Sequence, residues 1–185
     1  MSEEKLIADC KQNDRQAQLQ LYKQYSGAMY TIALRFLKNT FDAEEAMQDG
    51  FIAAYSKLHQ FNGESTFGAW LKKIVIRKSL DKLKTRKMEL TALNEHFLEA
   101  VDTEDNWEIE ENISVEQVKT EIENLPDKYR YPLMLFLIEG YDHEEISEIL
   151  NISSVSSRTL LHRGKKKLQK TLKAKYHGTG LKGYV

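Results

Sequence analysis

The stretch from Asp142 to Lys175 constrains the chain most, because it carries the start and stop signals of two helices joined by a tight turn. Asp142 and Glu145 form an Asp-x-x-Glu pattern, in which the side chains bind unpaired N–H groups in the first turn of a helix. Asn151 can adopt the left-handed conformation that ends a helix, and Ser153 can cap the next one. The spacing therefore predicts a helix-turn-helix.

The second helix of this pair separates into two faces at about 100° per residue. No acidic residue occurs between positions 150 and 175, so the outer face is basic, and Val155 lies among its cations. Such a face suits a phosphate backbone, and an exposed valine can cover a thymine methyl group. The simpler alternative is a solvated, lysine-rich helix. The apolar face holds Ser157, Leu161, Leu168 and Leu172, and the basic face holds Arg158, His162, Lys165, Lys166 and Lys173.

Two residues fit this helix less well. Ser157 occupies a position where helix-turn-helix units usually bury valine or isoleucine. Gly164 costs about 1 kcal/mol relative to alanine inside a helix, unless close packing of the backbone offsets it.

The net charge of −1 conceals a strong segregation of charge along the chain. Lys72 to Lys87 holds eight basic residues and one acid, whereas Glu89 to Glu111 holds nine acids and no lysine or arginine. A second basic block without acids begins at Arg158. Basic blocks of this kind indicate an anionic partner, and the acidic block indicates a region that must not contact that partner.

Several classes of function lack support in the sequence. The single cysteine excludes an internal disulfide framework. The N-terminus has no apolar core of a signal peptide, and no apolar run reaches membrane-spanning length. The five histidines lack metal-ligand spacing, and no phosphate-binding glycine loop or nucleophile–base pattern occurs. We therefore expect a cytoplasmic, non-enzymatic protein without membrane insertion, cofactor or metal.

The first half of the chain reads as helices, because the whole sequence has only two prolines and nine glycines. A short helix over about 3–11 precedes a longer one, and Asp42 with Glu45 predicts the start of a third. Gly50 weakens that third helix locally, and a loop at 60–64 separates it from a fourth that reaches about Lys87. Trp70 on the fourth helix is a core anchor or, less simply, a platform for an unpaired base. The inner faces are predicted to carry Tyr22, Tyr25, Met29, Ile32, Phe36, Met47, Phe51, Ala54, Tyr55, Leu58, Phe67, Leu71 and Ile74.

The second half begins after an acidic, flexible linker at 88–113. Ser114 and Gln117 signal a helix start, and Pro126 suits the first turn of the next helix. Pro132 falls inside that helix and is expected to kink it or delay its start. The predicted architecture is all-α, with helical domains at 1–87 and 114–176 and a flexible tail at 177–185.

An ordered series of segments then resembles a known family. The segments are DAEEAMQDGFIAAY, FNGESTFGAWLKKIVIRKSLDKLK, LPDKYRYPLMLFLIEGYDHEEISEILNIS and LHRGKKKL, with the acidic stretch between the second and third. Together they resemble sigma factors of the sigma-70 family, in the extracytoplasmic-function group. Ser157 and Leu160 depart from the pattern, since many members carry valine and a basic residue there.

The resemblance implies three contact surfaces. Region two would dock on core RNA polymerase through Asp42, Glu45, Gln48 and Asp49. It would bind the −10 element through Asn62, Ser65, Thr66, Phe67, Lys73, Arg77 and Lys78. Region four would bind the −35 element through Val155, Arg158, Thr159, His162, Arg163, Lys165 and Lys166.

The function implied is that of an alternative sigma factor, which directs core RNA polymerase to promoter DNA and aids strand opening at the −10 element. An anti-sigma factor is a further candidate partner. Two alternatives stay open at this point: a helix-turn-helix regulator that acts without polymerase, and a helical decoy or interaction protein. The first would not need the region-two half, and intact basic faces argue against the second.

Overall fold

A computed structural model describes residues 2–87 and 113–176, which form eight α-helices and no β-strand. They fall into two compact units, one within Met1–Ala92 and the other within Leu93–Val185. The predicted all-α class with two small helical domains is confirmed. The predicted acidic linker, apart from Ile113, and the predicted tail lie outside the described residues.

In the first unit, α2, α3 and α4 pack on one another, and α1 packs on α2. Their buried apolar side chains form one core, in which Met29, Met47 and Leu71 are buried as predicted. The bounds are α1 (Glu3–Lys11), α2 (Arg15–Leu37), α3 (Thr40–Ser56) and α4 (Phe67–Lys87), with a 3₁₀ turn at Leu58–Gln60.

The start of α3 differs from the prediction. Asn39 caps the helix by accepting a hydrogen bond of 3.0 Å from the amide of Asp42, so the cap lies three residues before the expected one. Lys38 has a left-handed conformation that ends α2, which leaves Asn39 in the extended conformation of a cap. Asp42 thus lies inside the first turn.

Gly50 is a contact point between helices. A Cβ atom at this position would lie 2.5 Å from Cγ2 of Val75, which is buried on α4. The weak helix propensity of glycine is therefore offset by the close approach of α3 to α4.

In the second unit, α8 packs against α5, α6 and α7. The predicted capping box of Ser114 and Gln117 is present at the start of α5. Gly164 lets α8 approach α6, since a Cβ atom there would lie 3.0 Å from Cδ1 of Leu133. The bounds are α5 (Val115–Glu123), α6 (Asp127–Leu133), α7 (His143–Leu150) and α8 (Ser154–Tyr176).

Pro132 changes the helix in a way the sequence did not predict. Pro126 occupies the N-cap position of α6 without a side-chain hydrogen bond, and the helix begins at Asp127, so its start is not delayed. After the proline the helix continues as a wide π-helical turn over Met134–Ile138, and the amide of Glu139 donates to the carbonyl of Met134 at 3.0 Å. Gly140, with a φ of +77°, then ends the segment.

An ion pair between a buried glutamate and an exposed lysine closes the second unit. Glu121 on α5 is 2% exposed, and both of its carboxylate oxygens accept hydrogen bonds of 2.8 Å from Nζ of Lys175. The hydroxyl of Tyr176 donates to the same carboxylate at 3.3 Å. The hydrogen bond to Glu121 raises the pKa of Lys175. The last turn of α8 is thereby tied to α5. No helix within the described ranges is long and apolar enough to cross a membrane.

Candidate nucleic-acid interface

The turn between α7 and α8 has the predicted geometry. Asp142 and Glu145 form a complete capping box at the start of α7. Asn151 adopts the left-handed conformation, with φ 55° and ψ 53°, and ends that helix. The hydroxyl of Ser153 accepts a hydrogen bond of 3.1 Å from the amide of Ser156 in the first turn of α8. The helix-turn-helix is therefore held by its local polar side chains.

The apolar face of α8 lies in the core of the second unit. Leu161, Leu168 and Leu172 are buried, and so is Ser157. The Oγ atom of Ser157 has no hydrogen-bond partner within the described part of the chain. This face fixes the rotation of α8 and so determines which side chains point outward.

The outward face carries the residues predicted to bind the −35 element, with one exception. Val155 is 50% exposed, so its apolar side chain faces outward among the cations of this face. Arg158 and Lys166 are exposed, whereas His162, Arg163 and Lys165 are half-buried.

Thr159 is the exception. Its side chain is buried, and its hydroxyl donates a hydrogen bond of 2.9 Å to the carbonyl of Val155 one turn earlier. Its expected contact with DNA is therefore corrected: the side chain forms a hydrogen bond within α8 instead. The cause is its position between the two faces, where residue type alone does not decide burial.

Lys165 is positioned by an aromatic side chain. Its ammonium lies 4.9 Å from the centroid of the Phe136 ring, which stacks on His143 with centroids 5.6 Å apart. A cation over an aromatic face is attracted by the ring quadrupole. This arrangement holds the Lys165 charge at one place beside the outward face of α8.

The first unit presents a short polar loop before α4. The residues from Asn62 to Thr66 are all exposed. The side-chain oxygen of Asn62 accepts a hydrogen bond of 3.1 Å from the amide of Glu64, and Gly63 has a φ of +81°. The hydroxyl of Thr66 accepts a hydrogen bond of 3.2 Å from the amide of Ala69 and caps α4. The loop therefore has a defined conformation and an exposed polar surface.

Phe67 does not belong to that exposed surface. It is 1% exposed and packs against Tyr25, Phe61 and Trp70. The expected direct contact of the Phe67 ring with a base is therefore corrected. The ring instead supports the loop by packing in the core next to it. Trp70 is half-buried in the same aromatic cluster, in agreement with its interpretation as a core anchor.

The basic side chains of α4 follow the loop along one helix. Arg77 is exposed, and Lys73 and Lys78 are half-buried. Their spacing places them about two to three turns from the loop, so a strand that contacts Asn62 to Thr66 and continues along α4 meets these cations.

The acidic residues predicted on α3 divide into two groups. Asp42 is buried, with a carboxylate oxygen 3.9 Å from Nζ of Lys82 on α4, and the same ammonium lies 2.6 Å from Glu45. These two carboxylates therefore help to join α3 to α4, and the buried side chain of Asp42 is unsuited to contact with a protein partner. Gln48 and Asp49 are exposed.

Two apolar residues of α3 were missed by the sequence reasoning. Phe41 is 74% exposed and Ile52 is 67% exposed. They are eleven residues apart, which is about three helical turns, so they lie on the same outward side of the helix. The available signal was that both fall outside the inward stripe of Met47, Phe51 and Ala54.

The described residues contain no group of three or more histidine, cysteine, aspartate or glutamate side chains that could hold a metal ion. The geometry instead defines a class: a two-unit helical protein with a helix-turn-helix in one unit and a polar loop beside a basic helix in the other.

Comparison with protein families narrows this class. The model for sigma-70 region 2 matches residues 21–88, and the model for sigma-70 region 4 matches residues 115–168. The extracytoplasmic-function RNA polymerase sigma factor SigW of Bacillus subtilis is 30% identical over 184 residues, covering 91% of this chain and 96% of SigW. SigM of the same organism is 26% identical over 155 residues, covering 81% of this chain and 91% of SigM.

Solved structures agree on the fold. CnrH in complex with the cytosolic domain of CnrY has a TM-score of 0.55 at 22% identity, with coverage of 92% of this chain and 96% of CnrH. The sigma factor RpoE of Bartonella quintana, in complex with the anti-sigma factor NepR, has a TM-score of 0.55 at 20% identity, with coverage of 84% and 96%.

The chain belongs to the extracytoplasmic-function group of sigma-70 family RNA polymerase sigma factors. It is an alternative sigma factor that directs core RNA polymerase to promoters. The region 2 match removes the alternative of a regulator that acts without polymerase.

Proposed function

We propose that the two units divide the work of promoter recognition. Residues 1–87 dock on polymerase and bind the −10 element, residues 114–176 bind the −35 element, and residues 88–113 and 177–185 serve as linker and tail. The observation that carries this proposal is the outward face of α8, where Val155 and Arg158 are exposed while the opposite face is buried.

In the second unit, Arg158 and Val155 contact base edges near the N-terminal end of α8, where a recognition helix enters the major groove. Arginine can bind guanine through two hydrogen bonds, and valine can cover a thymine methyl group. Lys165 and Lys166 lie about two turns further along and contact phosphates, with His162 and Arg163 between the two groups.

In the first unit, Asn62, Ser65 and Thr66 contact an unstacked base of the −10 element. The exposed polar loop suits this role, because a base must leave its stack before its edge can be bound. Lys73, Arg77 and Lys78 contact the backbone of the same strand, and the aromatic cluster under Phe67 supports the loop. Binding of the unpaired base stabilises the separated strands and so aids opening.

The polymerase-docking surface of α3 consists of Gln48 and Asp49 together with the exposed apolar residues Phe41 and Ile52. Apolar anchors surrounded by polar residues are typical of energetically important interface positions. Glu45 contributes at the border of this surface through its bridge to Lys82.

An anti-sigma factor is a candidate partner, since RpoE of Bartonella quintana is in complex with the anti-sigma factor NepR, and CnrH is in complex with the cytosolic domain of CnrY. A factor of this type is not an enzyme, because the chemistry belongs to polymerase. Its work on promoter DNA assigns it to the cytoplasm.

Transcription by reconstituted holoenzyme tests the proposal. We expect core RNA polymerase with this chain to start transcription at a defined set of genomic sites that core alone does not use. The Asn62→Ala variant should retain polymerase binding but show less permanganate-reactive thymine in the −10 region. Equal reactivity with wild type and variant would contradict the loop assignment, and transcription without site preference would contradict the proposal as a whole.

A further inference from the structure

Helix α1 lies outside the region 2 match, which begins at residue 21, yet it holds one end of the candidate base-binding loop. The ammonium of Lys11, in the last turn of α1, donates a hydrogen bond of 2.9 Å to the backbone carbonyl of Phe61. These residues are 50 positions apart in sequence. The contact is therefore a tertiary one, and it ends at the residue immediately before the loop.

The Phe61 carbonyl has a particular influence on the loop. A peptide unit is planar, so the carbonyl of Phe61 and the amide of Asn62 turn together. A hydrogen bond that fixes the carbonyl direction therefore fixes the direction in which the chain enters the loop. Asn62, the first loop residue, then closes its own turn onto the amide of Glu64.

The remaining parts of the loop are anchored by other contacts. The ring of Phe61 packs on Phe67 and Trp70, with centroids 5.9 and 5.5 Å away. Thr66 fixes the far end by capping α4. Lys11 thus supplies the contact that orients the entering peptide, while packing fixes the side chain of Phe61.

Helix α1 is itself well anchored, so Lys11 can act as a fixed donor. Leu6, Ile7 and Cys10 are buried in the core of the first unit. At the other end of α1, the hydroxyl of Tyr25 donates a hydrogen bond to Glu3. The ammonium also lies at the C-terminal end of the helix, where the helix dipole favours a cation.

We propose that Lys11 is a positioning residue for base selection: by holding the Phe61–Asn62 peptide, it presents Asn62, Ser65 and Thr66 to an unpaired base in one conformation. This inference rests on the proposed role of the loop. A preorganised site discriminates between ligands more sharply, because no conformational ordering opposes the correct contacts.

A simpler effect of Lys11 makes a different prediction. If the lysine only attracted DNA through its charge, its removal would weaken the binding of all strands equally. A role in positioning changes the ratio of affinities between strands that differ at the base bound by the loop. The ratio is therefore the quantity to measure.

The experiment uses holoenzyme assembled from core RNA polymerase and the full chain. Short single strands are selected from a random-sequence DNA pool by wild-type holoenzyme, and dissociation constants are measured for the selected strand and its single-base variants. The position bound by the loop is the one at which Asn62→Ala most reduces discrimination. The variants compared are Lys11→Met, Lys11→Arg and, as a control for loss of charge on the same helix, Lys5→Met; thermal unfolding verifies that each is folded.

We expect Lys11→Met to reduce discrimination at that position by about three- to tenfold, the range of one net hydrogen bond, and to leave other positions unchanged. Lys11→Arg keeps a donor and should retain most of the discrimination, and the exposed Lys5 should be replaceable without effect. Unchanged discrimination in Lys11→Met, a uniform loss at all positions, or an equal loss in Lys5→Met would overturn the inference. If Asn62→Ala changes discrimination at no position, the proposed role of the loop fails too. If Asn62→Ala reduces discrimination and Lys11→Met does not, only the role of Lys11 fails.

Discussion

Ser157 carries a hydroxyl group on the buried face of α8. It is fully buried, and its Oγ atom has no hydrogen-bond partner in the described residues. An unsatisfied buried polar group costs about 1–3 kcal/mol. The departure from the family pattern seen in the sequence therefore has a thermodynamic consequence.

We expect Ser157→Val to raise the free energy of unfolding of the second unit by about 1 kcal/mol, through loss of the hydroxyl and burial of added methyl groups. Ser157→Ala, which removes the hydroxyl without adding volume, should give part of this gain. Urea unfolding of the full chain, with hydrogen exchange to identify the amides of α8, measures both. A decrease for both variants would mean that the hydroxyl is satisfied in solution.

Cys10 provides a prediction about pH. Burial, followed by the charges of Asp14 and Asp9, raises the pKa of its thiol from 9.0 to about 11. The unfolded chain loses this proton first, so the stabilising effect is complete below pH 9 and is lost as the pH rises toward 11.

The free energy of unfolding of wild type should therefore fall more steeply between pH 9 and 11 than that of Cys10→Ala. The raised pKa of Tyr25 acts equally in both proteins and cancels in this comparison. Denaturant unfolding at closely spaced pH values gives the two slopes. Parallel slopes would show that the thiol titrates normally in the folded protein.

Arg158 and Lys166 are both exposed cations of α8, but their proposed roles differ. Arg158→Ala should weaken binding to the best −35 site by about 1–3 kcal/mol and relax the sequence preference. Lys166→Ala should weaken binding to all duplexes alike and reduce the salt slope by about one unit. Competition between −35 variants for holoenzyme, repeated at several salt concentrations, measures both effects, and the same profile for the two variants would refute the assignment.

At the scale of the element, the contact between α3 and α4 shows that a glycine inside a helix can permit close packing of a neighbouring helix. In the sequence Gly50 was only a weak point, because helix propensity is a local property. In the structure it is the position at which Val75 of the neighbouring helix comes closest. Val75 is β-branched and buried, so it has little freedom to move aside.

Gly50→Ala should therefore lower the free energy of unfolding of the first unit by about 1–2 kcal/mol, because overpacking outweighs the gain in helix propensity. Gly27 on α2 is the matched control, since nothing lies within 4 Å of a Cβ atom built there. Gly27→Ala should stabilise the unit by about 0.5–1 kcal/mol. Thermal unfolding of the two variants should shift in opposite directions, and a stabilised Gly50→Ala variant would contradict the close packing.

The signals that predicted elements correctly are those that act within one turn. The capping boxes at Ser114 and Asp142, the left-handed Asn151 and the cap at Ser153 all depend on neighbouring atoms, and all are present. The start of α3 was misassigned because Asn39 and Asp42 are both competent caps, and the end of the preceding helix decides between them.

Burial at the edge of a face was less predictable, for a different reason. Thr159 and Phe67 stand next to residues that face outward, and only the packing of neighbouring helices decides their environment. The exposure of Phe41 and Ile52 was not predicted, because they are of the same chemical type as the buried residues of α3 and only the packing of the helix decides which apolar side chains face outward. The wide turn after Pro132 depends on how the rest of the unit accommodates a missing amide, which periodicity does not encode.

At the scale of the whole molecule, the segregation of charge along the chain follows from the sequence alone. Nine acids lie between Glu89 and Glu111, after the basic helix α4 and before the unit that carries α8. A segment tethered between two cationic surfaces has a high effective concentration at both, and it can compete there with phosphates.

We therefore expect the protein without polymerase to bind promoter duplex weakly, and neutralising the acidic segment to tighten that binding. The substitutions are to asparagine or glutamine at Asp102, Glu104, Asp105, Glu108, Glu110 and Glu111. The gain should be largest at low salt, because screening weakens the internal competition.

Titration of labelled duplex at several salt concentrations measures the effect. Six acids replaced elsewhere in the chain serve as the control for net charge. An equal gain in that control would mean that overall repulsion, and not the position of the acidic segment, limits binding.

The ion pair between Glu121 and Lys175 has a practical consequence for shortening this protein. The pair joins residues 54 positions apart, so the C-terminal turn of α8 helps to hold α5, the first helix of its unit. A fragment that stops before Lys175 would leave the Glu121 carboxylate without its ion pair and without the hydroxyl of Tyr176, and the loss would fall on α5 at the opposite end of the unit's sequence. A boundary chosen by counting turns of the recognition helix would cut too early; the smallest intact fragment is set by the partner of Glu121.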